Sequence, residues 1–147
     1  MSLDVHLIYR NDEALKEWEL KRAKSLEEAG TMKGLIPLIE EYYEERKPKT
    51  ERREAYWSNI THNLNKMAKE AGIYEHLWRP EELGITTAKE LIEPLKEGLK
   101  KLKDNPKHYE QFNASIRWGM YKHFVPFIED YLNACIQYPD AIIEVSR

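Results

Sequence analysis

Short strand-like segments lie near both ends of this chain, and helical patterns fill most of the sequence between them. In residues 3–9, every second side chain is apolar, which is the two-residue period of a half-buried strand. Residues 141–145 are rich in β-branched side chains and follow a Pro-Asp turn. We expect both segments in one small sheet, which brings the two ends of the chain together.

A third strand is predicted in the middle of the chain, at residues 55–60, where aromatic side chains are bounded by charged residues. Most of the remaining sequence has apolar residues at helical spacing. The sequence therefore predicts a single α+β domain over residues 1–147. Its small, partly antiparallel sheet combines both terminal strands with the middle strand, and about five to six helices cover it.

Local signals mark several helix boundaries. Thr61 is a suitable N-cap, and Gly72 fits the position that follows a helix C-terminus. Thr87 and Glu90 have the spacing of a capping box. Pro94 lies inside the pattern of the next helix, so we expect it to kink that helix or to delay its start.

Residues 33–42 align without a gap to residues 122–131, with identical Lys, Pro, Ile, Glu and Tyr. One interpretation is an old duplication. The interpretation that we favour is two amphipathic helices that each have proline in the first turn. In that case Pro37 and Pro126 begin their helices rather than interrupt them.

The pattern of residues 11–53 predicts a helical hairpin followed by a basic linker. Residues 12–45 carry ten acidic and five basic side chains, whereas residues 46–53 carry five basic and one acidic. Trp18, Tyr42 and Tyr43 are aromatic residues of the kind that protein interfaces use, which makes them candidate partner-binding residues. The alternative is an ordinary solvated surface.

Composition excludes several classes of protein. The 23 basic and 26 acidic residues give a net charge of −3, so nucleic acid is an unlikely partner. The single cysteine, Cys135, excludes an intramolecular disulfide and is predicted to lie in the core. No apolar run reaches the roughly 18 residues of a membrane span, and no signal peptide is recognisable. We expect a soluble cytoplasmic protein with no membrane partner.

Common catalytic and cofactor motifs are missing from the sequence. It has no Gly-rich phosphate loop, no His-Glu-x-x-His, no paired Cys motif and no Gly-x-Ser-x-Gly. The five histidines show no ligand spacing. We therefore expect no cofactor and no metal site.

The densest polar cluster is at residues 58–63, where the middle strand meets a helix N-terminus. Such a terminus offers free backbone N–H groups and the positive end of the helix dipole. Asn59, Thr61, His62 and Asn63 are therefore candidate ligand-binding residues. The alternative is an ordinary capped helix, in which Thr61 bonds the backbone and Asn59 closes the turn.

Two aromatic groups are candidates to complete this site. The Arg79 guanidinium could bind a negative group of the ligand beside Trp78; alternatively, Trp78 fills the core and Arg79 pairs with a nearby glutamate. Trp118 and Tyr121 lie in a predicted loop with Gly119, where a positive φ is expected. Trp118 either lines the pocket or plugs the core.

Several distinctive segments suggest a relationship: Asn59-Ile-Thr-His-Asn-Leu64, Glu70-Ala-Gly-Ile-Tyr74, Leu77-Trp-Arg-Pro-Glu81, Trp118-Gly119 and Val145-Ser-Arg147. With these the chain resembles a family of small uncharacterised proteins from bacteria and their phages. The resemblance covers residues 3–9 and about residue 58 to the end. It supports the domain and the polar cluster but implies no activity. Because the short members join the first two strands closely, it also implies that residues 11–53 are an insertion.

These observations favour a small binding protein that recognises a small polar ligand or a protein partner. The resemblance suggests a phage accessory or counter-defence role. One alternative is a hydrolase or transferase with His62 as general base and Asn63 as a hydrogen-bond donor to the substrate. Another is an interaction module that acts through the hairpin at residues 11–53, and a homodimer is compatible with this.

Overall fold

The computed structural model describes residues 2–114 and 118–147. Within those residues, three strands and seven α-helices follow one another, with short 3-10 turns at His62–Leu64, Pro80–Leu83 and Ala88–Leu91. The elements in chain order are β1 (Ser2–Asn11), α1 (Glu13–Ala29), α2 (Ile36–Glu45), β2 (Glu51–Thr61), α3 (Asn65–Glu70), α4 (Tyr74–Trp78), α5 (Ile92–Asp104), α6 (Pro106–Glu110), α7 (Tyr121–Gln137) and β3 (Ile142–Ser146).

The strands form one antiparallel sheet in the order β2-β1-β3, which leaves β2 and β3 as its edges. β1 pairs with β3 in a register that places Val5 opposite Val145 and Leu7 opposite Ile143. This confirms the predicted α+β class and the joining of both terminal strands with the middle one. The helices outnumber the expected five to six partly because the five-residue α4 was not predicted from apolar spacing.

The core lies between one face of the sheet and the helices α3 to α7. Val5 and Leu7 of β1 are fully buried, as are Phe124 and Tyr131 of α7. Burial of each such apolar side chain contributes about 1.5–3 kcal/mol. The Tyr131 ring also stacks on Tyr56 of β2, with ring centroids 5.9 Å apart. α7 is thus held against β2, and this contact positions the site described below.

The predicted helix boundaries are largely confirmed. Gly72 has φ +77°, its N–H donates to the Lys69 carbonyl, and the Ile73 N–H donates to the Ala68 carbonyl at 3.0 Å. These two bonds define a Schellman end. The capping box of Thr87 and Glu90 is present as well.

Proline positions agree with the sequence analysis in two cases of three. Pro37 lies at the start of α2, and Pro94 lies in the first turn of α5, where it delays the α-helix behind a 3-10 turn. The prediction for Pro126 was wrong, because α7 begins at Tyr121 and includes Pro126 in its interior. The missing proline N–H leaves the carbonyl of Lys122, four residues earlier, without its usual helical partner.

The described chain divides into two compact units, of which one is Arg10–Arg53. Its bounds are close to residues 11–53, and that this segment is an insertion stays a prediction. The other unit, Met1–Tyr9 with Glu54–Arg147, contains most of the sheet, the remaining helices and the groove described next. None of the helices within residues 2–114 and 118–147 combines the length and the hydropathy that a membrane span requires.

Candidate functional site

An open groove of about 660 Å³ lies between the end of β2 and the first half of α7. From β2 come Ser58, Asn59 and Thr61, and from α7 come His123 and Asp130. His123 and Asp130 share one helix face because they are seven residues, or two turns, apart. The full set of lining residues is Ser2, Ser58, Asn59, Ile60, Thr61, Leu64, Trp118, Gly119, His123, Pro126, Phe127 and Asp130.

Trp118 and Gly119, in the segment that precedes α7, line one end of the groove and contact the turn that follows β2. The Asn63 side-chain amide donates a hydrogen bond to the Trp118 carbonyl at 3.1 Å. Gly119 has φ +96°, and a Cβ added there would lie 2.8 Å from the Asn63 Cβ and 3.3 Å from the Thr61 Cγ2. The predicted positive φ of Gly119 is confirmed, and close approach is a second reason for glycine at this position.

Trp118 is the exposed aromatic residue of the groove. Its side chain is 69% exposed, although it lines the groove. It therefore does not plug the core, and one face of its indole remains available to a ligand. The neighbouring residues 115–117 lie outside the described part of the chain.

His62 is held by a buried tryptophan. The Trp78 Nε1–H donates to His62 Nδ1 at 2.9 Å, and Trp78 itself is only 3% exposed and stacks on Tyr74. An indole N–H can only donate, so Nδ1 must accept and the proton of neutral His62 must be on Nε2. In this arrangement neither ring nitrogen has a free lone pair for general base catalysis.

The structure places His62 and Asn63 beside a second cavity of about 670 Å³, together with Asn65 and Lys66. Neither His62 nor Trp78 lines the groove. The sequence cluster at residues 58–63 is therefore divided between two places. Asn59 and Thr61 belong to the groove, whereas Asn63 anchors the loop that closes it.

Arg79 and Tyr121 also lie outside the groove. The Arg79 guanidinium pairs with the Glu82 carboxylate at 3.4 Å, and a hydrogen bond with Tyr74 raises the pKa of Arg79. The Tyr121 hydroxyl donates to the Leu102 carbonyl at 2.7 Å, and its backbone N–H donates to the Asn113 side chain at 2.7 Å. Both side chains have local structural partners, and no arginine or lysine is among the described residues that line the groove.

Asp130 supplies the formal negative charge of the groove. The carboxylate also affects Tyr56, whose pKa is raised mainly by burial and, to a lesser extent, by Asp130. A hydrogen bond with the Ser58 side chain opposes this rise. Behind them, the fully buried Tyr131 hydroxyl has no hydrogen-bond partner among the described residues, and burial raises its pKa well above the usual value.

His123 and Asp130 are the groove residues that sequence reasoning missed, together with Phe127. Their signal was present as a helical repeat at positions 123, 127 and 130. That repeat indicates that the three side chains share one face of the helix. It does not indicate which other element this face packs against. Only the packing of α7 against β2 brings these side chains opposite Asn59 and Thr61.

Two further kinds of chemistry, metal binding and reaction of the cysteine thiol, can be judged from the described residues. Within residues 2–114 and 118–147, no group of three or more His, Cys, Asp or Glu side chains is arranged to hold a metal ion. Cys135 is buried, as predicted, and its burial raises the thiol pKa to about 12. A thiol of that pKa is not a nucleophile at neutral pH.

The candidate partner-binding residues of the hairpin have clear internal roles. The Trp18 Nε1–H donates to the Tyr43 carbonyl at 2.7 Å, and the Ser25 and Tyr43 hydroxyls are 2.8 Å apart. Trp18 and Tyr43 therefore join α1 to α2. Tyr42 is 51% exposed, with the Arg46 guanidinium over its ring at 3.8 Å.

Comparison with protein-family models, with curated proteins and with solved structures finds no match to this chain. The resemblance to a family from bacteria and phages stays a prediction.

Proposed function

We propose that the protein is a non-catalytic binding protein whose groove takes a polar ligand that is neutral or cationic. The observation that carries this proposal is the lining of the groove. Asn59 and Thr61 offer hydrogen bonds on one wall, Asp130 offers a carboxylate on the other, and arginine and lysine are absent from the described lining. An anionic ligand would meet Asp130 without a counter-charge.

Trp118 fits this ligand class. An exposed indole face attracts a guanidinium or ammonium group through its ring electrons, at about 0.5–1 kcal/mol for exposed sites. Trp118 at one end and Asp130 on α7 thus offer a cationic ligand an aromatic face and a carboxylate within the same groove. This replaces the anion-binding role that the sequence suggested for Arg79, because Arg79 pairs with Glu82 elsewhere.

Catalysis is disfavoured by the geometry of both histidines near the cluster. His62 Nδ1 accepts from Trp78, which occupies the lone pair that a base would use. His123 and Asp130 are seven residues apart along α7, and a rise of 1.5 Å per residue separates their backbones by roughly 10 Å. Asp130 is therefore poorly placed to orient His123 as a base.

An NMR titration of the labelled protein tests the proposal. N-acetyl-arginine methylamide is the cationic probe and N-acetyl-glutamate methylamide is the anionic one. We expect saturable shifts of the Asn59 and Gly119 amides and of the Trp118 indole N–H with the first probe only. Asp130→Asn should weaken this binding at least about tenfold, because a hydrogen bond to a charged group contributes about 1.5–3 kcal/mol.

Asp140→Asn is the matched control, because Asp140 is 80% exposed and does not line the groove. It should leave the arginine titration unchanged. The proposal fails if the glutamate probe binds as well as the arginine probe, or if neither probe shifts the groove signals at millimolar concentration.

A second candidate function, self-association through the hairpin, is favoured by an exposed apolar stripe. Leu35, Leu38 and Tyr42 follow helical spacing along α2 and are 41%, 61% and 51% exposed. If two copies pair α2 antiparallel about the middle of this stripe, Lys33 of one copy falls opposite Glu44 of the other. The charges at the two ends of the stripe are thus complementary for a second copy.

Sedimentation equilibrium tests this second candidate. Leu38→Lys should shift a dimer toward the monomer, whereas Leu83→Lys should not. Leu83 is a suitable control because it is 47% exposed and lies outside the Arg10–Arg53 unit. A wild-type protein that stays monomeric at millimolar concentration would exclude the candidate.

A further inference from the structure

We propose that the ligand of the groove is an extended polypeptide segment with a basic side chain, which adds as a fourth strand to the outer edge of β2. This inference rests on the proposed function and names the class of its ligand. It has three supports: the free edge of the sheet, the position of the groove along that edge, and the charge of the groove.

The outer edge of β2 is open to backbone pairing. In the order β2-β1-β3, β2 has β1 on one side only. Among the described residues, no turn, loop or helix makes a backbone hydrogen bond with residues 54–61. Every second residue of an edge strand points its N–H and C=O outward, so this edge presents a row of unused donors and acceptors.

The groove is not confined to one face of β2. Side chains of consecutive strand residues point to opposite faces. Yet Ser58, Asn59, Ile60 and Thr61, which are consecutive, all line the groove. A groove that contacts both kinds of position reaches the backbone of β2 from its outer edge, and at one end it extends to Ser2 of β1.

The side chains around the edge specify the charge of the incoming segment. Asp130 reaches the groove from α7, and no lysine or arginine is among the described lining residues to oppose a cation. Trp118, 69% exposed, offers a ring face elsewhere in the same groove. Alternate side chains of an added strand point toward α7, and a basic one among them can reach Asp130.

The length of the edge is suited to a short segment. Residues 54–61 extend for roughly 27 Å at about 3.4 Å per residue. A pentapeptide of about 17 Å fits within this length and can make several main-chain hydrogen bonds. Such bonds give affinity that is independent of sequence, and the groove then selects the basic side chain.

The test compares Ac-Thr-Val-Arg-Val-Thr-NH2 with the single-residue probe N-acetyl-arginine methylamide. We expect the peptide to bind at least about tenfold more tightly, because it adds main-chain hydrogen bonds to the same side-chain contact. The amide exchange of β2 should slow at alternate residues only. N-methylation of the peptide amides that face β2 should weaken binding about two- to tenfold each, whereas N-methylation of the others should not.

The outcomes separate this inference from the proposed function. If the arginine probe binds at the groove, but the peptide gains no affinity and no alternating protection, the inference is overturned and the proposed function stands. If neither probe binds, both are overturned. If Ac-Thr-Val-Glu-Val-Thr-NH2 binds as tightly as the arginine peptide with alternating protection, the basic side chain is rejected as the recognised group.

Discussion

The indole Nε1–H of Trp78 donates a hydrogen bond of 2.9 Å to Nδ1 of His62. This contact joins the end of α4 to the turn that follows β2. Because it occupies the Nδ1 lone pair, it leaves neutral His62 without a lone pair for general base catalysis. We expect neutral His62 to be the Nε2–H tautomer, since its Nδ1 must accept. The ¹⁵N shifts of the imidazole, measured in long-range proton–nitrogen spectra, distinguish the two tautomers.

Trp78→Phe provides the control for the His62 tautomer. The variant removes the indole donor from a side chain that is only 3% exposed, so His62 Nδ1 loses its partner. We expect a loss of about 1–3 kcal/mol in the free energy of unfolding and a return toward mixed tautomers. An Nδ1–H tautomer in the wild type would contradict the hydrogen bond on which the non-catalytic interpretation depends.

Gly119→Ala should destabilise the protein through two effects. Gly119 has φ +96°, and an added Cβ would lie 2.8 Å from the Asn63 Cβ. Together these effects predict a loss of roughly 1–3 kcal/mol, measured by urea unfolding. Gly34→Ala is the matched control, because nothing lies within 4 Å of its added Cβ. Equal effects of the two substitutions would show that the contact between Gly119 and Asn63 is absent.

Short sequence patterns correctly predicted those helix ends that are formed by residues close together in the chain. The Schellman end at Gly72 and the capping box at Thr87 and Glu90 each involve residues within five positions, so their physics is contained in a short segment. The sequence also predicted that the terminal strands share one sheet. The alternation of apolar residues in β1, which buries Val5, determines which face of the strand packs on the core.

The site could be predicted only in part, because it depends on contacts between distant segments. Asn59 and Thr61 were identified from a polar cluster, but Asp130 lies about seventy positions away and meets them only through the packing of α7. His62 was assigned to the same site as its neighbours, although the donor on Trp78 fixes it elsewhere. A sequence pattern does not indicate which of two adjacent polar residues faces a groove.

The half-buried Tyr121 and the fully buried Tyr131 should respond differently to loss of the hydroxyl. The Tyr121 hydroxyl donates to the Leu102 carbonyl, so Tyr121→Phe should lower the free energy of unfolding by about 1 kcal/mol. The Tyr131 hydroxyl is buried without a partner among the described residues, so Tyr131→Phe should be neutral or stabilising. Thermal unfolding of both variants checks this, and a destabilised Tyr131→Phe would mean that a bound water satisfies the hydroxyl.

Cys135 should be inert in the folded protein. Its thiol is buried, and its pKa is raised to about 12 by burial, so the thiolate is scarce at pH 8. We expect no reaction with a thiol-specific disulfide reagent in native buffer and one equivalent in guanidinium chloride. Rapid labelling of the native protein would show that α7 opens locally near its C-terminal end.

Glu90 should make the stability of the protein depend on pH. Its carboxylate accepts hydrogen bonds from the Thr87 and Thr86 backbone N–H groups, and these bonds lower its pKa from the usual 4.5. A lowered pKa in the folded state means that the unfolded state binds the proton more tightly. The contribution of Glu90 is therefore fully present above about pH 4.5 and is lost as the pH falls through the lower folded-state pKa.

Replacement of Glu90 by glutamine isolates this effect. The free energy of unfolding, measured in urea from pH 3 to pH 7, should differ most between wild type and Glu90→Gln at the upper end of the range. The two curves should converge toward pH 3, because the protonated carboxyl of the wild type resembles the amide. Glu93→Gln, on a side chain that is 79% exposed, serves as the control and should leave the pH profile unchanged. A constant difference between wild type and Glu90→Gln at every pH would show that the carboxylate charge is not what the Thr86 and Thr87 amides stabilise.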